Sequence, residues 1–359
     1  LKLTLSLSKP KTNVLPPPPP KVVAQSLRVS AVNIDWLAGD GSDRCYYRIT
    51  SPELKVPLVL MQLSGSDAAA LKTGGYDWVN ISSLLTELGI TVPKVHCTMA
   101  DHAALIIEDY GDQMLEGIVF DFLKKSDLAG IEKLYVDCMG IIGKFLSIKP
   151  SDGSVWCKRA FDADRFVWEL NFFVQKYLNP IAGIELTGSE KKQFASEARQ
   201  LAETLSNGSR FFVHRDFHSR NVMVSGKKLA IIDFQDARLG PASYDLVSLC
   251  FDSYVPFSSS FRSHLIETAI SNFRIQLGPT VSDDIEKHWR PMLLQRQLKA
   301  IGSFGYLTMD KKRNNYLKYV RPALATLEDH GIEDERWPLI SSSLIHRMRQ
   351  ALDKNLDGH

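Results

Sequence analysis

Apolar positions change their spacing along the chain. Between residues 44 and 63 they form short, dense runs, RCYYRIT (44–50) and PLVLMQL (57–63), whose aromatic and aliphatic residues read as strands. YDWVNISSLLTELGI (76–90) instead places Trp78/Val79, Leu84/Leu85 and Leu88 at helical spacing, with Gly89 as the stop. HAALIIEDYGD (102–112) reads as a buried strand ending in an acidic turn. From there the pattern is mostly helical. IEKLYVDCMGIIGKFLSI (131–148) and DRFVWELNFFVQKYL (164–178) each predict a helix, and SEKKQFASEARQLAETL (189–205) a third that begins with a Ser cap. Two short apolar runs, FFV (211–213) and VMV (222–224), interrupt the helices, which then resume to the end. The expectation is an α+β chain, with a small sheet-rich part before a large helical part.

PKTNVLPPPPPK (10–21) precedes this pattern. Proline fixes φ and removes backbone donors, so this stretch reads as an extended, uncored spacer, with order beginning near residue 25. The expected division is a Pro-rich disordered arm over 1–24, a sheet-rich N-terminal lobe over 25–111 and a helical C-terminal lobe over 112–359.

Composition narrows the classes. With 359 residues, 44% hydrophobic and 23% charged, the chain holds a sizeable globular core. A formal net charge of +2 makes no demand for nucleic acid. The five cysteines show no CxxC spacing, which suggests free thiols in a reducing compartment. No apolar run approaches the roughly 18 residues needed to span a bilayer. The opening LKLTLSLSKP lacks the apolar core and cleavage site of a signal peptide. No membrane partner and a cytoplasmic location are expected by default.

The chemistry concentrates in HRDFHSRN (214–221), the loop between the two short runs. Twelve residues beyond Asn221 an apolar strand delivers Asp233, in LAIIDFQDARLGPASYDL (229–246). Each of Asp216, Asn221 and Asp233 alone reads as a turn or cap residue. Together, as HRDxxxxN followed by IIDFQ, they match the kinase arrangement: Asp216 to accept or align the acceptor hydroxyl, Asn221 and Asp233 to hold Mg²⁺. Phosphoryl transfer needs that set, because charge spread over the phosphoryl oxygens is neutralised by an oxygen-ligated cation. His214 and Arg215 read as loop-shaping. His218 divides between loop-shaping and a role facing the substrate. Only eleven residues separate Asp233 from Asp245, with no APE motif, and Gln235 replaces the Gly of DFG. That leaves no room for a peptide platform and favours a small-molecule acceptor.

These stretches resemble the aminoglycoside phosphotransferase and choline kinase superfamily, a protein-kinase-like two-lobe fold. The resemblance runs from about residue 30 to 330. VHRDFHSRNVMV, AIIDFQDARLGPASYDLVSL and LLQRQLKAIGSFGYL (293–307) are most similar to its bacterial anomeric kinases of N-acetylmuramate and N-acetylglucosamine, which serve peptidoglycan recycling. FDADRFVWELNFF (161–173) and LIIEDYGD (105–112) add weaker support.

The resemblance implies ATP and Mg²⁺ as cofactors, a sugar as small-molecule partner, and a functional link to a sugar-1-phosphate nucleotidyltransferase. GDGSDRCYYRI (39–49), with Gly41, would cover the nucleotide phosphates, though a plain hairpin turn fits as well. Glu108 and Tyr110 would stand at the adenine, or simply end a strand. Asp245 would brace the catalytic loop, or merely cap a helix. The Lys that kinases place on the third strand is missing. Gln62 or Met61 holds its place, Lys55 and Lys72 lie outside the strand, and Arg48 is a candidate phosphate clamp unless it is an exposed strand-edge residue.

Nine Lys/Arg and one Asp lie between Lys287 and Arg321. Most would be solvated helix faces. Arg296, set among apolar residues, is the best candidate to meet an acidic sugar. Glu169 is a candidate for sugar hydroxyls. Two alternatives stand beside the anomeric kinase. One is another small-molecule kinase of the fold, acting on an aminoglycoside, a choline-like alcohol or another sugar. The other is a pseudokinase scaffold, which the missing Lys suggests and the intact Asp216, Asn221 and Asp233 oppose.

Overall fold

The computed structural model describes residues 15–39, 44–151 and 154–354. They form two compact units. One comprises the chain up to Gln113 together with Met223–Gln235, the other Met114–Val222 together with Asp236 to the C-terminus. The division is therefore not a single cut in the sequence: a hairpin from the middle of the chain groups with the first unit.

The first unit is built on a five-stranded sheet. Helix α1 (Pro20–Leu27) precedes β1 (Asn33–Gly39), β2 (Cys45–Thr50) and β3 (Leu58–Gln62). Then come α2 (Gly65–Lys72), α3 (Asp77–Glu87), β4 (Val95–Met99) and β5 (Ala104–Glu108). The strand order is β1-β2-β3-β5-β4, and all neighbours run antiparallel. β3 is buried along its whole length, as its unbroken LVLMQ run implies.

Helix α1 takes in Pro20–Ala24, the end of the expected extended arm, whose first fourteen residues lie outside the described residues. It starts inside the polyproline run, because a proline in the first helical turn gives up only an N–H that has no intrahelical partner. Its Val23 and Ala24 are fully buried in a core cluster with Tyr47, Ile49, Leu60 and Ile106. Deleting residues 1–24 is accordingly expected to cost roughly 2–3 kcal/mol, the value of burying one Val with a neighbouring methyl. Calorimetry of the truncated chain checks this; an unchanged unfolding midpoint would show that α1 adds nothing to the core.

The second unit opens with α4 (Leu115–Lys124), α5 (Leu128–Ser147), α6 (Ala163–Phe173) and α7 (Gly188–Ser206). α6 runs on into a π turn, Val174–Leu178. The cap of α7 is Thr187 rather than Ser189: its side chain accepts from the Glu190 N–H while Glu190 returns the bond, a reciprocal box that Ser189 cannot make from inside the helix.

Four short strands follow: β6 (Phe211–Val213), β7 (Val222–Ser225), β8 (Lys228–Ile231) and β9 (Arg238–Gly240). β6 pairs with β9 in the second unit. β7 and β8 form the hairpin that belongs with the first, where the Ile231 N–H donates to Thr91 O at 2.9 Å and the Val224 N–H to Gln113 O at 2.8 Å.

The rest is helical: α8 (Ser243–Cys250), α9 (Ser259–Leu277), the 31-residue α10 (Pro279–Met309), α11 (Val320–Asp329) and α12 (Leu344–Lys354). α10 is the axis of this unit. Gly302 and Gly305 let it press directly on backbone, since a Cβ on Gly302 would stand 2.8 Å from Phe173 Cα and one on Gly305 would collide with Lys176 O. The IGSFGYL stretch thus has a packing reason for its glycines. All five cysteines are free thiols. Among the described residues no helix is long and apolar enough to cross a membrane.

Candidate active site

The loop between β6 and β7 is fixed from beneath. Phe217 is fully buried against Phe145, which also packs on Phe212 of β6. Asp245, in the first turn of α8, accepts the backbone N–H of His214 at 2.6 Å and of Arg215 at 3.0 Å. Burial pushes its carboxyl up, while His214 and the two N–H bonds pull the other way. His214, itself buried, offers Nδ1 to the Asp216 N–H at 3.3 Å. Asp252 takes the Ser219 N–H and hydroxyl and, at 2.8 Å, the Tyr254 N–H. Arg220 reaches Glu116 at 2.7 Å and the Tyr319 hydroxyl at 2.6 Å, and lies 3.7 Å over the Tyr254 ring. Arg215 holds φ at 86°, a costly backbone state for a residue with a side chain, and one that persists only where neighbours enforce it.

This scaffold presents Asp216 to three cations. Lys299 Nζ lies 2.9 Å from Oδ1, Arg296 Nη1 4.0 Å from the same oxygen, and Arg215 Nε 3.9 Å from Oδ2. Burial alone would raise the Asp216 carboxyl; Lys299, Arg215 and Arg296 together overrule it and hold the group well below the usual carboxylate range. Arg296 is itself clamped, donating to the Tyr244 hydroxyl at 2.8 Å and to Ser248 Oγ at 2.7 Å. Asp216, Arg296 and Lys299 line a cavity of about 200 Å³ with His218, Asp252 and Ser303. His218 faces Tyr254 edge-on, and burial lowers its pKa to about 4, so it is a neutral imidazole there.

Lys299 is the cavity residue that sequence reading missed. It stands in LLQRQLKAIG one turn beyond Arg296, so the i, i+3 relation to that residue was the available signal. Of the basic residues in 287–321, only Arg296 and Lys299 line the cavity. Glu169 is buried on α6, where it accepts from Gln295 Nε2 at 2.8 Å and lies 3.7 Å from Arg165; it does not line the cavity.

In the first unit, Asp233 has φ 63°, a left-handed backbone state like that of Arg215. Its Oδ1 accepts from Gln235 Nε2 at 2.8 Å and from Arg44 Nη2 at 3.2 Å. Gln235, where protein kinases carry Gly, thus holds the Asp. Phe234 anchors the turn against Trp78, their rings 5.1 Å apart. Arg48, the candidate phosphate clamp, pairs with Asp109 at 2.6 Å and with Asp112 at 2.8 Å. Gln62 is structural, donating to the His102 and Ala103 carbonyls at 2.9 and 3.0 Å. Arg44, buried at the start of β2, escaped notice because its partner is 189 residues away. Tyr110 donates to Glu108 at 3.0 Å at the end of β5. Gly41 lies outside the described residues.

Among the described residues no three His, Cys, Asp or Glu side chains form a metal cage. Mg²⁺ does not need one, since it keeps waters and phosphate oxygens around one or two protein ligands. Asn221 donates its Nδ2 to Asp216 O at 2.8 Å, a bond that does not use its amide oxygen. Asn221 and Asp233 each carry a hard oxygen donor of the kind that Mg²⁺ takes.

Fold and loop together define an enzyme of the kinase-like phosphotransferases. The phosphotransferase enzyme family model matches residues 36–275, and the chain belongs to that family. An N-acetylmuramate/N-acetylglucosamine kinase of Neisseria meningitidis serogroup B is 30% identical over 79% of this chain and 81% of its own. One of Pseudomonas aeruginosa is 25% identical over 78% of each. The ADP-bound structure of the aminoglycoside phosphotransferase APH(2'')-Ib shares the fold, with a TM-score of 0.55 at 14% identity, over 85% of this chain and 96% of that one.

Proposed function

We propose that the chain transfers the γ-phosphoryl group of ATP to the anomeric hydroxyl of N-acetylmuramate or N-acetylglucosamine, giving the sugar 1-phosphate. The observation that carries this reading is the state of Asp216. A carboxylate among three cations is a weak base. The anomeric hydroxyl is the most acidic hydroxyl of a sugar and asks least of its base, so Asp216 serves chiefly to align it. The names of the relatives support the same acceptor.

The cavity also disfavours a polycationic aminoglycoside. Asp216 is already matched by Lys299, Arg296 and Arg215, and Asp252 already accepts hydrogen bonds from Ser219 and Tyr254. Mg²⁺, held by Asn221 and Asp233, would neutralise the charge on the phosphates. Asp245 keeps the loop in register, and His218, being neutral, donates or accepts a hydrogen bond to the sugar without adding charge. The requirement for ATP fits a cytoplasmic enzyme of peptidoglycan recycling, and its product would go to a sugar-1-phosphate nucleotidyltransferase. A panel assay with labelled ATP tests the acceptor class. Transfer to the two N-acetylated amino sugars and not to kanamycin is expected; transfer to kanamycin alone would overturn the reading.

A further inference from the structure

We propose that Lys299 exchanges partners with the substrate: it pairs with Asp216 when the cavity is empty or holds a neutral sugar, and passes to the acceptor's own carboxylate when an acidic sugar binds. An acidic acceptor then anchors itself and, in the same step, removes a cation from Asp216. This inference rests on the reading of the acceptor as an amino sugar.

The two cavity cations differ in freedom. Arg296 is fixed by the Tyr244 hydroxyl and Ser248 Oγ, and its charge lies 4.6 Å over the Tyr244 ring. Lys299 makes one side-chain hydrogen bond among the described residues, to Asp216 Oδ1. A compact ammonium on a four-carbon stem can turn its three donors to a new acceptor, which a stacked guanidinium cannot. An ammonium only 14% exposed must keep a partner, since an unpaired charge there is costly. A carboxylate brought in by the substrate offers such a partner while Arg296 and Arg215 remain beside Asp216, so the exchange favours an acidic acceptor; a neutral sugar offers none, and Lys299 stays on Asp216.

The remaining charges leave the exchange open. Asp252, the other carboxylate of the cavity, accepts from the Ser219 N–H and hydroxyl and from the Tyr254 N–H, and Lys299 makes no hydrogen bond to it. His218 is neutral. Glu169 is engaged by Gln295 and Arg165. Arg296 and Arg215 stay near Asp216 throughout and keep it ionised.

The test compares kcat/KM for N-acetylmuramate, which carries a lactyl carboxylate, with that for N-acetylglucosamine, which carries none. Lys299→Met is expected to lower the acid-over-neutral ratio about tenfold or more, the loss of one hydrogen bond to a charged group. Lys299→Arg should keep most of the ratio. An unchanged ratio, with both sugars slowed equally, overturns the inference and leaves Lys299 a structural partner of Asp216. Should Lys299→Met not fold, Lys299→Gln, which still donates to Asp216, is read the same way. Calorimetric titration of the two sugars separates this inference from the proposed function. If the wild type phosphorylates neither sugar, the function fails, yet tighter binding of N-acetylmuramate that is lost in Lys299→Met still supports the exchange. Equal affinity of the wild type for the two sugars contradicts it.

Discussion

Asp216→Asn is expected to lower turnover by about 10²–10⁴-fold while leaving nucleotide binding in place, the usual loss when a base or hydroxyl-aligning group is removed. The substitution is close to isosteric. The amide oxygen can still accept from Lys299, now 2.9 Å from Oδ1, and the loop keeps its braces on Asp245 and Asp252. What disappears is the negative charge toward which the acceptor hydroxyl is drawn. Three cations then face a neutral side chain, so the hydroxyl meets a positive field instead of a carboxylate. Steady-state kinetics with a parallel nucleotide titration separate the two effects. Near-normal turnover in a folded Asp216→Asn variant would remove Asp216 from the chemistry.

Asp233→Ala should be the more severe change for the nucleotide. A carboxylate binds a hard cation more strongly than an amide oxygen, so Mg·ATP binding should fall further in Asp233→Ala than in Asn221→Ala. The strained φ of 63° at Asp233, together with the donors of Arg44 and Gln235 at its Oδ1, marks a side chain held in one pose by its neighbours. Titration of Mg·ATP into both variants checks the order. Binding by Asp233→Ala equal to wild type would refute the assignment.

Local pattern made much of the fold legible. The strands RCYYRIT and PLVLMQL appear as β2 and β3, and the helix read over 76–90 appears as α3, because short-range spacing encodes which face is buried. The HRDFHSRN loop stood out in the sequence for a related reason: its polar residues are packed into eight consecutive positions, with Asp245 a short distance on. What escaped depends on contacts between distant positions. Lys299 reads as one more base on a long helix until α10 carries it to Asp216, 83 residues away in the chain. Arg44 and Asp233 are farther apart still.

The ion pairs of Arg48 escaped the sequence for the same reason. Nothing in its own strand shows that Asp109 and Asp112 close on it. The polyproline stretch misled in another way. Proline breaks a helix from within but favours its first turn, so the end of the run, at Pro20, starts α1 instead of prolonging a spacer.

The most direct test of the central claim is phosphorus NMR of the product formed from N-acetylmuramate and ATP. A phosphorus signal coupled to the anomeric proton, lost on mild acid treatment as expected of a sugar 1-phosphate, is the predicted result. Coupling to the C6 methylene protons, in a product stable to the same acid, would contradict transfer to the anomeric hydroxyl.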